Sequence, residues 1–290
     1  MNYTCSLCHT PTVFFMEKQG YRLYRCPKCK LTKTEFTKRY ASFVNTFYSK
    51  GYFTGDPKYS AFSGYEKDKQ CITRNLQQVL RQVKKYVPTN AKVLDVGCAM
   101  GFMVELARLQ GYDAYGFDPS SYALSHVSPT IKQYVAKATI ATASYPKNSF
   151  DVIILTDIIE HVPDPVGSIT ILQQFLKRGG YIVIATGDTQ STAAKLLGKH
   201  WTFYIPPQHL VFLSKDTLTT ILQRTGFTPV SWFRIGKWLR LEYIIHLAES
   251  AGDYWWGRYI HFIVKWLHIG KLSLYVPMQD NMVVIAKKTR

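Results

Sequence analysis

The sequence has no long uncharged apolar run and few acidic residues. No such run reaches the ~18–20 residues that a helix needs to cross a bilayer, and the N-terminal MNYTCSLCHT lacks the charged region and apolar run of a secretory signal. These absences predict a cytoplasmic protein. Asp and Glu number 19 against 36 Lys and Arg, so the net charge is +17.

The shortage of acids is uneven along the chain. Residues 1–90 hold sixteen basic and five acidic residues, whereas residues 91–235 hold twelve and ten. A basic end attracts a phosphorylated substrate, a nucleic acid or an acidic membrane surface, or it serves solubility alone. The length of 290 residues and the hydrophobic fraction of 47% indicate a folded chain with one large and one small domain.

Four of the six cysteines form two CxxC pairs, Cys5 with Cys8 and Cys26 with Cys29. Two such turns facing each other complete a tetrahedral site of four thiolates, which is a structural zinc site because no position stays open. The residues between the pairs predict two short strands around Gly20. Two disulfides are the alternative, and the missing secretion signal disfavours them. Residues 1–40 are therefore predicted to form a zinc ribbon.

A strand–turn–helix–strand unit follows at residues 91–119. The apolar run Val93–Val96 predicts a buried parallel strand, and the turn after it reads Gly-Cys-Ala-Met-Gly. Its glycine spacing matches neither the dinucleotide fingerprint nor a phosphate-binding loop. Gly97 and Gly101 allow a ligand to approach the backbone. Asp118 ends the next strand, where an acid can accept both hydroxyls of a ribose.

This pattern, Asp-x-Gly-x-x-x-Gly followed by an acid at a strand end, resembles the cofactor motif of class I S-adenosylmethionine-dependent methyltransferases. The resemblance implies S-adenosylmethionine as cofactor and an α/β fold with a doubly wound seven-stranded sheet. The cofactor contacts that it implies are Asp95, Gly97, Cys98, Gly101, Asp118, Pro119, Ala141 and Thr156. Ala141 replaces the acid that relatives often place near adenine, so a contact there would be through its backbone.

The remaining segments agree with such a fold. Strands are predicted at 150–156, 181–185, 229–234 and 282–286, and helices at 75–86, 166–176 and 216–224. The predicted organisation is a linker with a cap helix at 41–90 and a methyltransferase domain at 91–290.

The chain is also similar in detail to methyltransferases that carry an N-terminal zinc ribbon. That subgroup is related to enzymes acting on sugars, polyketide or quinone precursors and cell-surface glycans. The aromatic segment 47–55 and the stretch Glu160–Pro165 carry this likeness. It implies a small-molecule acceptor such as a sugar, glycolipid or related intermediate. An RNA methyltransferase or RNA-binding ribbon is the alternative, supported by the basic N-terminal region and weakened because no Asn/Asp-Pro-Pro-aromatic motif follows Thr156.

The candidates for the chemistry are His161, His209 and Glu160. Either histidine could be a general base, because an imidazole exchanges protons near neutral pH. Asp157, Glu160 and His161 are spaced so that one turn of helix could present all three to a divalent ion that acidifies a hydroxyl. The alternative is that Glu160 and His161 only brace the loop.

An amphipathic helical insertion is predicted at residues 236–277, which contain Trp238, Trp255, Trp256 and Trp266. Arg258, His261, Lys265 and His268 would form one polar stripe among apolar residues. Packing against the sheet or a partner subunit is one interpretation. The other is peripheral contact with a membrane, which would suit a lipid-linked acceptor.

Overall fold

The computed structural model describes residues 3–56, 64–245, 264 and 269–289, except the side chain of Met278. The strands are β1 (Val13–Lys18), β2 (Tyr21–Arg25), β3 (Thr32–Thr34), β4 (Lys92–Val96), β5 (Asp113–Asp118), β6 (Val135–Lys137), β7 (Phe150–Thr156), β8 (Leu176–Gly187), β9 (Val211–Phe212), β10 (Phe227–Arg240) and β11 (Ser273–Lys288). The helices are α1 (Tyr40–Phe47), α2 (Lys50–Thr54), α3 (Lys69–Val83), α4 (Phe102–Leu109), α5 (Ser121–Ser125), α6 (Pro165–Phe175), α7 (Thr192–Leu197) and α8 (Lys215–Arg224). None of these helices combines the length and apolar character that a membrane crossing requires.

Seven strands form the central sheet in the order β6-β5-β4-β7-β8-β11-β10. Strands β4 to β8 run parallel where they pair, whereas β11 is antiparallel to both β8 and β10. The chain reverses its winding between β4 and β7, and the carboxyl ends of these strands open a crevice at that point. This topology confirms the predicted doubly wound α/β fold.

Alternate residues of the central strands face opposite layers, as the period of a strand requires. On one face, Val93 and Ile154 pack in the cluster that contains residues of α3 and α4. On the other, Leu94 and Ile153 pack with residues of α6 and α8. Both faces are therefore covered, which explains why β4 and β7 are apolar at consecutive positions.

The N-terminal segment forms a small antiparallel sheet, β1-β2-β3, with the two CxxC turns at its end. The sulfur atoms of Cys5 and Cys29 lie 3.5 Å apart, those of Cys8 and Cys26 3.3 Å, and those of Cys8 and Cys29 3.7 Å. Sulfurs bound to one zinc at ~2.3 Å are about 3.8 Å apart in a tetrahedron, whereas a disulfide needs about 2 Å. The cluster is therefore compatible with a zinc ribbon.

The ribbon is continuous with the larger domain. β9 pairs antiparallel with β3 and completes a four-stranded sheet. At the end of this pairing, the Thr34 N–H donates to the Leu210 carbonyl at 2.9 Å, and the buried Thr34 hydroxyl donates to the His209 carbonyl at 2.8 Å. Leu7 and Leu31 of the ribbon lie in the core cluster that includes α6 and α8. The predicted boundary at residue 40 therefore separates chain segments that share one core.

The predicted insertion at 236–277 is narrower in the structure. Residues 236–240 continue β10 and residues 273–277 begin β11, because the two strands pair as far as Arg240 with Ser273. Residues 241–245 are helical, so the helical part of the insertion begins after Arg240. The polar stripe, Trp255, Trp256 and Trp266 lie outside the described residues.

Replacing Thr34 by Val tests the attachment of the ribbon. The change keeps the shape of the side chain but removes the donor to the His209 carbonyl, so we expect the free energy of unfolding to fall by about 1–2 kcal/mol. Urea denaturation measures it. Thr219→Val is the matched control, because the exposed Thr219 hydroxyl bonds only within its own helix, to Lys215. Equal effects of the two substitutions would contradict this account.

Candidate active site

A cavity of about 790 Å³ opens at the carboxyl ends of β4, β5 and β7. This size suits a drug-sized ligand. Its wall includes residues of the turn after β4, the end of β5, the loop after β7 and the far ends of β10 and β11. Residues of α1, α2 and α3 also line the cavity.

The turn after β4 holds the backbone in a left-handed shape at Gly97 (φ +72°) and Ala99 (φ +48°). A Cβ atom on Gly97 would meet the Ile158 Cδ1 at 2.2 Å, so only glycine allows the turn to lie against the loop after β7. The N–H groups of Gly97 and Cys98 both donate to the Phe117 carbonyl, at 2.9 and 3.0 Å. These bonds join the turn to the end of β5.

Two buried carboxylates lie at the ends of these strands. Asp118 accepts hydrogen bonds from the N–H groups of Ala99 at 2.9 Å and Ser120 at 2.8 Å. Burial nevertheless raises the pKa of Asp118 to about 6. Burial and the charge of Asp118 hold the pKa of Asp95 well above its usual value. A cationic ligand with hydroxyl donors would favour the ionised form of both groups.

Most of the residues that the resemblance implied as cofactor contacts line the cavity: Asp95, Gly97, Cys98, Asp118, Pro119, Ala141 and Thr156. The Thr156 hydroxyl is buried and has no hydrogen-bond partner among the described residues, which suits a site that a ligand completes. Gly101 precedes α4 as its N-cap residue at φ +77° and does not line the cavity.

The two candidate histidines lie side by side, with ring centroids 4.8 Å apart. The Nδ1 of His161 lies 2.8 Å from the Gln208 carbonyl, and the Nδ1 of His209 lies 2.7 Å from the Phe203 carbonyl. Because a carbonyl only accepts, each Nδ1 must carry the proton, and each Nε2 keeps its lone pair. Burial lowers the pKa of His161, and burial together with the charge of His161 lowers that of His209 well below the ordinary value. Both rings are therefore neutral at pH 7.

Glu160 is fully buried beside the histidines. Its Oε2 accepts from the Thr186 hydroxyl at 2.9 Å, and its Oε1 has no partner among the described residues. Burial, and next the charge of Asp157, raise the pKa of Glu160 to about 8, so its carboxyl is mainly protonated at neutral pH. One ligand atom from each of Glu160, His161 and His209 lies within 4.8 Å of the others.

The predicted grouping of Asp157 with Glu160 and His161 does not form. Residues 159–161 make a 3-10 turn, and Asp157 has a left-handed backbone (φ +53°), so the three side chains do not share a helix face. The Asp157 carboxylate instead contacts the Lys237 ammonium at 3.1 and 3.2 Å. His209 takes the third place in the cluster.

Sequence reasoning missed several residues of the cavity wall. Tyr48, Trp238 and Tyr243 line it, and the Tyr48 hydroxyl lies 3.0 Å from the Nδ1 of His161. Tyr52, which accepts a hydrogen bond from the Gln208 amide at 3.2 Å, and Tyr65 also line it. The cluster of aromatic residues at 47–53 was a usable signal, whereas nothing local marked Lys237 or Tyr243.

Comparison with known proteins agrees with this geometry. Residues 66–231 match the Methyltransferase domain family. The ubiquinone biosynthesis O-methyltransferase of Aliivibrio fischeri is 28% identical over 178 residues, which cover 53% of this chain and 76% of that protein. Its counterpart from Yersinia pestis is 27% identical over 184 residues, covering 55% and 76%.

Solved structures show the same fold. A SAM-dependent methyltransferase from Archaeoglobus fulgidus has a TM-score of 0.51 at 23% identity, over 77% of this chain and 99% of that one. A putative methyltransferase from Bacillus halodurans has a TM-score of 0.53 at 15% identity, over 75% and 100%. With a family match over more than half of its length and this cofactor crevice, the chain belongs to the methyltransferase-domain family and is a class I S-adenosylmethionine-dependent methyltransferase.

Proposed function

We propose that the protein methylates a hydroxyl oxygen of a small ring-bearing acceptor and that the pair His161 and His209 supplies the general base. The supporting observation is that both Nδ1 atoms are held by backbone carbonyls, which leaves two neutral Nε2 atoms in one cavity. S-adenosylmethionine supplies an electrophilic methyl group on its sulfonium sulfur. A neutral Nε2 accepts the hydroxyl proton as the oxygen–carbon bond forms and the methyl–sulfur bond breaks. S-adenosylhomocysteine is then the leaving group, and the positive charge of the sulfonium ends on the imidazolium.

Asp118 and Asp95 form the cofactor side of this proposal. The Asp118 carboxylate, already oriented by Ala99 and Ser120, accepts the ribose hydroxyls. Asp95 meets the ammonium of the cofactor, whose positive charge offsets the cost of two buried carboxylates. The backbone at Gly97 and Cys98 lies against the ligand, and the Thr156 hydroxyl gains a partner.

The acceptor side of the cavity supports an aromatic or quinone-precursor hydroxyl over the sugar or glycolipid that the sequence first suggested. We define this side by the rings of Tyr48, Tyr52, Phe203, Trp238 and Tyr243, all of which line the cavity. Flat aromatic walls favour a planar acceptor. The relatives named for ubiquinone biosynthesis O-methylation fit the same class. Contact with RNA or with a membrane has no comparable support among the described residues.

A divalent ion is a second candidate for activating the hydroxyl. Glu160, His161 and His209 offer one oxygen and two nitrogens close enough to share an ion, and such a set leaves open positions for an acceptor oxygen. The ion would acidify the hydroxyl directly. Measuring the metal content of the protein distinguishes the two mechanisms. If this cluster binds a metal ion, Glu160→Gln should lower the metal content by one ion per chain, and otherwise it should leave the metal content unchanged.

Replacing His161 or His209 by Ala tests the catalytic pair. We expect each variant to lower turnover by roughly 10²–10⁴-fold, because a positioned base contributes about that much, while cofactor affinity changes little. Methyl transfer from labelled cofactor to a catechol measures turnover, and calorimetry measures affinity. His126→Ala is the control, since the exposed His126 bonds only to Ser125 and Tyr122 on its own helix. Full activity in both test variants would overturn the base assignment.

Replacing Asp118 by Ala tests the cofactor site. Two charge-assisted hydrogen bonds of about 1.5–3 kcal/mol each are lost, so cofactor affinity should fall by roughly 10²–10⁴-fold. Calorimetry measures the affinity, and circular dichroism shows whether the variant is folded. Asp113→Ala on the same strand is the matched control, because Asp113 pairs with Arg108 away from the cavity. Unchanged affinity in a folded Asp118→Ala protein would rule out the ribose contact.

Metal analysis tests the ribbon. We propose that Cys5, Cys8, Cys26 and Cys29 hold one structural zinc, so the purified protein should contain about one zinc per chain in this segment. Cys26→Ser should lose that zinc and lower the melting temperature. Cys71→Ser is the control, since Cys71 is buried elsewhere, near Ser273. A folded, zinc-free protein with four free N-terminal thiols would refute the site.

A further inference from the structure

Lys237 lies at an irregularity in the β10–β11 pairing. Ile235 pairs with Asn281, whereas Lys237 pairs with Val276, so the longer side of the bulge is on β11. A bulge bends the strand pair and re-aims the side chains next to it. Lys237 and the bulge residue Asp280 both line the cavity.

The residues on either side of Lys237 are fixed by side chains of other elements. Asn75 on α3 accepts from the Trp238 N–H at 2.7 Å and donates to the Trp238 carbonyl at 3.0 Å. Gln78, also on α3, donates to the Gly236 carbonyl at 3.1 Å, and the Gly236 N–H donates to the Tyr275 hydroxyl at 3.2 Å. These four hydrogen bonds hold the backbone at positions 236 and 238.

Gly236 itself is required for this arrangement. A Cβ atom at that position would meet the Tyr275 Oη at 2.6 Å and the Val276 carbonyl oxygen at 2.7 Å. The close approach of Tyr275 depends on the missing side chain. A lysine at a solvated surface does not require a backbone held by hydrogen bonds at both neighbouring residues.

The charges around Lys237 show what it can do. Its ammonium contacts Asp157, and Asp280, Glu160 and His209 are near enough to interact with it electrostatically. Burial disfavours the charged ammonium, but Asp157 outweighs this effect, so the pKa of Lys237 is raised and the group stays charged. The charge therefore lies in the same cavity as His209 and close enough to lower the pKa of that ring.

Arg240 is the other Lys or Arg side chain among the described residues that line the cavity. It contacts two carboxylates, Glu242 at 2.9 Å and Asp68 at 3.8 Å. Lys237 contacts the single carboxylate of Asp157, whose side chain is 41% exposed and which also lines the cavity. A partly exposed ion pair contributes little to stability, so bracing alone does not explain this arrangement.

We propose that Lys237 binds the acceptor oxygen as it loses its proton and stabilises the resulting oxyanion. This rests on the proposed O-methylation. Asp157 is the counter-ion that holds the ammonium in place while no acceptor is bound. The proton moves to a histidine Nε2, the negative charge forms beside the ammonium, and the charge disappears when the oxygen–carbon bond forms.

The proposal predicts the class of acceptor. An ammonium lowers the pKa of a hydroxyl that is already weakly acidic, so that phenols and enols ionise in the site near neutral pH. Alkyl hydroxyls of sugars ionise far less readily and gain little from the same contact. Lys237 would therefore select an ionisable hydroxyl among acceptors that fit the aromatic walls.

The pKa of a bound chromophoric phenol tests this directly. The probe is 4-nitrocatechol, whose phenolate absorbs visible light, bound to the full chain together with S-adenosylhomocysteine. In the unaltered protein we expect the bound pKa to lie below that of the free probe. Lys237→Met should raise it by about one unit, which is roughly tenfold less phenolate at a given pH. Lys237→Arg should keep the lowered value, because it keeps the charge.

Two further variants test the role of the counter-ion and serve as a control. Asp157→Asn removes the counter-ion and tolerates the left-handed backbone, so the bound pKa should fall further. Lys177→Met is the matched control, because Lys177 pairs with Asp151 at 2.8 Å and does not line the cavity. It should leave the bound pKa unchanged. Calorimetry with S-adenosylhomocysteine shows that each variant is folded.

The outcomes separate this proposal from the proposed function. The role of Lys237 is overturned if the bound probe has the same pKa in Lys237→Met as in the unaltered protein. It is also overturned if the probe does not bind together with S-adenosylhomocysteine. Methyl transfer to catechol is measured on the same samples. An O-methyl product with no pKa shift leaves O-methylation standing without Lys237, whereas a methylated product with no oxygen–methyl bond would overturn the proposed function itself.

Discussion

The pairing of β3 with β9 is the constraint on which the active-site wall depends. Thr34 binds the backbone of His209 and Leu210, and the Leu210 N–H donates to the Glu160 carbonyl at 2.8 Å. One chain of hydrogen bonds therefore runs from the N-terminal ribbon through the histidine loop to the loop after β7. The cysteine cluster of the ribbon is therefore connected, through β3 and β9, to a wall of the cavity.

Buried acids shape the chemistry on both sides of the cavity. Asp95, Asp118 and Glu160 are nearly inaccessible, and burial raises the pKa of each. Such groups are costly without a cation or a donor, which is why binding sites can hold them where cores rarely do. In the proposed cofactor site a positively charged ligand would satisfy Asp95 and Asp118. Near Glu160, burial lowers the pKa of His161 and of His209, so both imidazoles are neutral.

The edge of the sheet forms one wall of the cavity. β10 and β11 extend past the point where β8 ends its pairing with β11, and the bulge at Gly236 lies in that extension. Helix α3 packs across the same segment through Asn75 and Gln78. The crevice at the ends of β4, β5 and β7 is thus combined with a wall from the sheet edge that includes Lys237 and Trp238.

The sequence by itself determined the fold class, the cofactor turn and the cysteine cluster. Each is encoded by residues close together in the chain: the apolar run before Gly97, the acid that ends the following strand, and the paired CxxC turns. Only the tertiary structure decided that His209 joins Glu160 and His161, that Asp157 turns to Lys237, and that β10 continues through residue 240. These features depend on contacts between segments as much as 80 residues apart, as in the pair Asp157 and Lys237. Local spacing does not encode such contacts, because strand pairing and burial override the intrinsic preference of a short segment.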